Sequence, residues 1–78
     1  MLLHEEISDK ILKSFYTVYN KLGYGFLEKV YENALLLELR NSGLHCTRQV
    51  PIEVYYAGVG VGNYFADILV EDKIIIEL

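Results

Sequence analysis

The first half of the chain carries apolar residues at helical spacing. Five of them recur every three or four positions: Ile7, Ile11, Phe15, Val18 and Leu22. This spacing predicts an amphipathic helix from about residue 4 to residue 22. The next residues, LGYG at 22–25, contain two glycines, which favour a turn with positive φ.

A second helical pattern follows this turn. Its apolar residues share one broad face: Leu27, Val30, Tyr31, Ala34, Leu35 and Leu39. Gly43 suits the left-handed position that commonly follows a helix. The first half of the chain therefore predicts two helices joined by a glycine turn.

After Gly43 the apolar period changes to two. The stretch HCTRQVPIEVYY (45–56) alternates and is rich in β-branched and aromatic residues, which predicts a strand. Pro51 has no amide donor, so this strand is expected at a sheet edge or to bulge there. The glycine-rich stretch 57–63 predicts a loose connection, and two closing strands are expected at about 64–70 and 74–78. The order α-α-β-β-β predicts an α+β fold, in which the two helices pack on a three-stranded antiparallel meander.

Two carboxylates fall within the closing strands. A two-residue turn would pair Asp67 with Ile76, whereas a three-residue turn at 71–73 pairs Asp67 with Glu77. Both faces of these strands are apolar, so hydrophobicity leaves both registers open. We favour the three-residue turn, partly because it brings the two acids together.

Opposed carboxylates repel each other unless a cation or a hydrogen-bond donor compensates their charge. Mg²⁺ and Mn²⁺ prefer such oxygen ligands, so Asp67 and Glu77 are candidate metal ligands. On the second helix, Glu28 and Glu32 lie four residues apart on one face, next to Tyr31. Spacing alone favours a plainer alternative, in which the strand acids are solvated or held by backbone amides at strand ends and the glutamates form an acidic helix flank.

Three further side chains are candidate nucleic-acid contacts. Arg48 and Gln49 on the first predicted strand are able to reach a phosphate, and Tyr31 is able to stack on a base. Ordinary surface strand pairing for Arg48 and Gln49, and packing for Tyr31, are the default explanations. His4 and His45 have no metal-ligand spacing, and no partner residues mark Cys46 as a nucleophile.

Composition narrows the class of protein. The chain has 78 residues, 53% of them hydrophobic, with seven Tyr, three Phe and no Trp, which is typical of a single globular domain. The single cysteine and the acidic N-terminus predict a cytoplasmic protein without a signal peptide, and no apolar run is long enough to cross a membrane. The net charge of −4 disfavours a broad nucleic-acid surface but is compatible with a metal-binding acidic site.

Taken together, several stretches resemble a known family. GFLEKVY, with Gly25, Glu28 and Tyr31, matches the signature of the GxxExxY proteins of bacteria and archaea, which are assigned to the PD-(D/E)xK nuclease superfamily. The likeness continues through YENALLLEL, SGLHCTRQVPIEVYY and ADILVEDKIIIEL and covers essentially the whole chain. Tyr19, Tyr24 and Phe65 depart from the family pattern, where a histidine, a proline and a basic residue are expected.

The resemblance implies that residues 1–78 are the N-terminal part of a nuclease-like domain with the restriction-endonuclease-like order αβββαβ. Asp67 would be the strand aspartate, Glu77 the glutamate of E-x-K, and Glu28 or Glu32 the helix glutamate, together holding Mg²⁺ or Mn²⁺. The implied activity is metal-dependent phosphodiester hydrolysis of DNA or RNA. The E-x-K lysine would lie just beyond Leu78, so this fragment is expected to be inactive. The alternative is a non-catalytic nuclease-like scaffold that forms homo-oligomers through its exposed C-terminal strand.

Overall fold

The computed structural model describes residues 4–78. Two helices, α1 (Glu5–Leu22) and α2 (Glu28–Asn41), precede three strands, β1 (Cys46–Tyr56), β2 (Val59–Val70) and β3 (Ile74–Ile76). The strands form one antiparallel sheet in the order β1-β2-β3. The predicted α+β fold is confirmed. None of the helices within this described part of the chain combines the length and apolar character needed to span a membrane.

The chain divides into two compact units, one ending at His45 and the other comprising Cys46–Leu78. The first unit contains the two helices, which contact each other. Helix α1 carries acidic residues in its first turn and Lys21 in its last turn, an arrangement that complements the helix dipole. Gly43, at φ 86°, has the left-handed conformation predicted for the end of α2.

In the second unit, β1 and β2 form a longer hairpin than the sequence predicts. The predicted loose connection over 57–63 is wrong, because β2 already begins at Val59. Ala57 and Gly58 have φ values of 52° and 80°, and positive φ at both central residues is the geometry of a tight type I′ turn. Pro51 lies on β1, an edge strand, as its missing donor predicts.

The register of β2 and β3 follows the predicted three-residue turn. Val70 lies opposite Ile74, and Ile68 lies opposite Ile76. Strand β3 is shorter than the predicted 74–78 because its ladder ends at Ile76. The next free amide, that of Leu78, donates to the side chain of Asp67 at 2.7 Å and not to a backbone carbonyl.

Candidate metal centre and nucleic-acid interface

Asp67 lies in the middle strand of the sheet, between two fully buried residues. Ala66 and Ile68 both have 0% exposure, and Asp67 alternates with them on the opposite face of β2. Its side chain is half-buried. Oδ2 accepts the Leu78 amide proton at 2.7 Å, which fixes the orientation of the carboxylate. This contact leaves Oδ1 available for another ligand.

Glu77 occupies the position next to Asp67 across the β2–β3 pair. The pairing of β2 with β3 ends at Ile68 and Ile76. Asp67 and Glu77 are the next residues beyond this pair, opposite each other. The register is maintained by a turn in which Glu71 and Asp72 have φ values of 54° and 56° and Lys73 N donates to Val70 O at 3.0 Å. Glu77 itself is exposed.

The two helix glutamates have different environments. Glu32 is buried, with 5% exposure, and its Oε2 lies 2.7 Å from Lys29 Nζ in an ion pair. Lys29 is largely exposed, so the pair connects a buried carboxylate to the surface. Glu28 is exposed at the N-terminus of α2, and within residues 4–78 no hydrogen bond or ion pair engages its carboxylate. Glu28 is therefore accessible to a ligand, whereas the charge of Glu32 is already compensated.

Tyr31 stabilises the turn between the helices. Its hydroxyl donates to Gly23 O at 2.6 Å, and its ring stacks on Tyr19 with centroids 5.0 Å apart. Phe26 packs edge-on against the same ring, with centroids 6.2 Å apart. Gly25 has φ 97°, a conformation that favours glycine. Two residues of the Gly25–Glu28–Tyr31 signature thus have structural roles in this turn, and the role of Tyr31 as a nucleic-acid contact stays a prediction.

Gln49 and Arg48 lie on β1, beside the aspartate strand. Arg48 is opposite Ile68, and Val50 is opposite Ala66. The register is the same before and after Gln49 on β1. Gln49 therefore lies directly opposite Asp67. Gln49 also has φ 54°, in the left-handed region. Sequence reasoning missed this conformation, since glutamine is not among the residues enriched there.

A comparison with protein-family models identifies the family. The model described as the PD-(D/E)XK nuclease superfamily matches residues 5–78. The chain belongs to this superfamily. The predicted superfamily is thereby confirmed, and the match includes both strand carboxylates and both helix glutamates. No curated protein and no solved structure matches the chain significantly.

PD-(D/E)XK nucleases generally use divalent metals, so the carboxylates must be tested for their fit to one. Within residues 4–78, no three His, Cys, Asp or Glu side chains meet in an arrangement that would hold a metal ion. The fit therefore depends on Asp67 and Glu77, which come from adjacent positions of paired strands. A half-buried carboxylate with one oriented oxygen and a neighbouring exposed carboxylate provide the hard oxygen ligands that Mg²⁺ and Mn²⁺ prefer.

Proposed function

We propose that this PD-(D/E)XK protein is a metal-dependent nuclease core that acts on phosphodiester bonds of DNA or RNA. The observation that carries the proposal is the β2–β3 register, which brings Asp67 and Glu77 to neighbouring positions. These two residues would hold Mg²⁺ or Mn²⁺. The metal would polarise the scissile phosphate and lower the pKa of a bound water.

The residues of the chain prepare this site in two ways. The Leu78 amide holds one oxygen of Asp67, so the carboxylate need not lose rotational freedom when a ligand binds. The exposed Glu77 adds a second negative charge without the cost of burying it. We propose the cytoplasm as the location, on the basis of the single cysteine.

Binding of Mn²⁺ and of nucleic acid tests the proposal. We expect the purified chain to bind Mn²⁺ in isothermal titration calorimetry and to bind a fluorescein-labelled DNA duplex, or an RNA strand of the same sequence, more tightly when Mn²⁺ is present. The readout is binding because holding the metal is the role proposed for Asp67 and Glu77. Absence of Mn²⁺ uptake at millimolar concentrations would contradict the proposal.

A second candidate function is homo-oligomerisation, and it is favoured by an apolar arm at the end of the β1–β2 hairpin. The arm consists of seven exposed side chains: Val54, Tyr55, Tyr56, Val59, Val61, Tyr64 and Phe65. Glu53 is the only charged residue between positions 49 and 66. Its carboxylate accepts a hydrogen bond from Tyr55 and, with a smaller contribution from burial, raises the pKa of that phenol. A surface without basic residues favours an apolar protein partner over phosphate.

A second copy of the chain is the partner that fits this arm. The side chains of the arm alternate between the two faces of the hairpin, so each face offers part of this apolar area, and its aromatic residues are of the type enriched in protein interfaces. Strand β3, the other edge of the sheet, offers only the three residues Ile74–Ile76. The arm is therefore the larger of the two surfaces, although the C-terminal strand stays a second proposed contact.

Substitutions in the arm and in strand β3 show which of these two surfaces forms the contact between copies. We expect the chain to form dimers in sedimentation equilibrium, Tyr56→Lys to shift it to monomers because it buries a charge in the contact, and Tyr24→Lys to have no effect. Tyr24 is 97% exposed and lies outside the arm, so it is a matched control. Dissociation by Ile75→Lys but not by Tyr56→Lys would assign the contact to the C-terminal strand. A strict monomer at high concentration would rule out this candidate.

A further inference from the structure

The ladder between β1 and β2 is interrupted at the pair that contains the candidate catalytic aspartate. Paired residues flank the interruption on both sides, and the register does not change across it. Gln49 and Asp67 are therefore opposite each other, but they are not joined as a regular pair. The cause is the backbone of Gln49, whose φ of 54° is incompatible with an extended strand.

The left-handed conformation of Gln49 is unusual in its location. The other non-glycine residues with positive φ in the described part of the chain lie at a helix start or in a turn: His4, Ala57, Glu71 and Asp72. Gln49 is the one that lies inside a strand. A conformation of this kind is strained for a residue with a Cβ atom, and such strain is characteristic of functional sites. A glycine would remove the strain, so the glutamine side chain is expected to have a role of its own.

The chemistry of Gln49 suits a phosphate. Its side chain is exposed, and within residues 4–78 its carboxamide makes no hydrogen bond. A carboxamide offers two N–H donors, which phosphate oxygens accept, and, unlike the cationic side chain of a lysine or arginine, it does not compete with a metal ion for the Asp67 carboxylate. We propose that Gln49 is a positioning residue that donates to a phosphate of bound DNA or RNA beside Asp67. This inference rests on the proposed nuclease function.

Three variants distinguish the effect of the Gln49 side chain from the effect of its strained backbone. Gln49→Gly removes both the side chain and the backbone strain. Without the strain, we expect Tm to rise by about 4–8 °C. Without the side chain, we expect the affinity for the labelled DNA duplex or RNA strand, measured by fluorescence anisotropy in the presence of Mn²⁺, to fall about tenfold. Gln49→Ala keeps the Cβ atom, so Tm should stay near that of the unsubstituted chain while affinity falls equally. Ala57→Gly relieves the same strain in the hairpin turn, so Tm should rise with no change in affinity. Mn²⁺ affinity should be unchanged in all three variants.

The results also distinguish this inference from the proposed function. If both Gln49 variants bind nucleic acid as tightly as the unsubstituted chain while Asp67→Asn binds weakly, the role of Gln49 is overturned and the nuclease proposal stands. If binding depends on neither Mn²⁺ nor Asp67, both are overturned. A large loss of Tm in Gln49→Ala would assign Gln49 a structural role and also overturn the inference.

Discussion

The variant Asp67→Asn is expected to bind Mn²⁺ about 100-fold more weakly than the unsubstituted chain, or not at all. Removal of groups that only support metal ligands typically lowers metal affinity about 10–100-fold, and a direct charged ligand should have at least that effect. The substitution removes one negative charge, but the asparagine Oδ1 is still able to accept the Leu78 amide proton, which Asp67 Oδ2 accepts at 2.7 Å. The loss should therefore appear in metal affinity and not in stability.

Asp72→Asn is the matched control for this experiment. It makes the same change of charge and shape at an exposed residue of the β2–β3 turn, where φ of 56° is tolerated by asparagine. Calorimetric titration with Mn²⁺ gives the affinity of each variant, and thermal unfolding checks that each is folded. Equal Mn²⁺ affinity of the Asp67 and Asp72 variants would remove Asp67 from the metal site. A fall in both would indicate that net charge, and not a ligand, governs the binding.

Regular apolar spacing made the helices predictable, whereas the limits of the strands depended on contacts that spacing does not encode. Helix α1 begins and ends within one residue of its predicted limits, because one apolar stripe continues through it without a break. Strand β2 begins five residues before its predicted start, since Gly60 and Gly62 resemble a loop in the sequence but pair with β1 in the sheet. Strand β3 ends early because a side chain binds the amide of Leu78.

The candidate site was predictable only in part, for a similar reason. The sequence left a two-residue and a three-residue turn open, and the three-residue turn was favoured partly because it brings Asp67 and Glu77 together; the observed register agrees with it. The left-handed Gln49 depends on the tertiary environment and has no sequence signal. The hydrogen bond of Tyr31 to Gly23 joins residues eight positions apart across a turn, a contact that no helical or strand period indicates. The i,i+3 ion pair of Lys29 and Glu32, in contrast, follows from helical spacing.

The variant Ile68→Ala is expected to lower the free energy of unfolding by about 2–5 kcal/mol. Ile68 lies in the middle strand, is fully buried at 0% exposure, and faces Arg48 on one side and Ile76 on the other. Its loss removes apolar contacts and leaves a cavity that the two neighbouring strands restrict from collapsing. A chain of this size has a total stability of roughly 4–12 kcal/mol, so the substitution should remove a large fraction of it. Urea titration followed by circular dichroism measures the change.

Ile75→Ala makes the same chemical change in the adjacent strand, where the side chain is 41% exposed, so it should cost much less than Ile68→Ala. Because Ile68 directly follows Asp67, we also expect the cavity to weaken the hydrogen bond from the Leu78 amide and to speed its hydrogen exchange, measured by NMR under conditions where the variant is still folded. Equal destabilisation by the two substitutions would contradict the assignment of Ile68 to the core. Unchanged exchange at Leu78 would show that the orientation of Asp67 is independent of the packing beneath it.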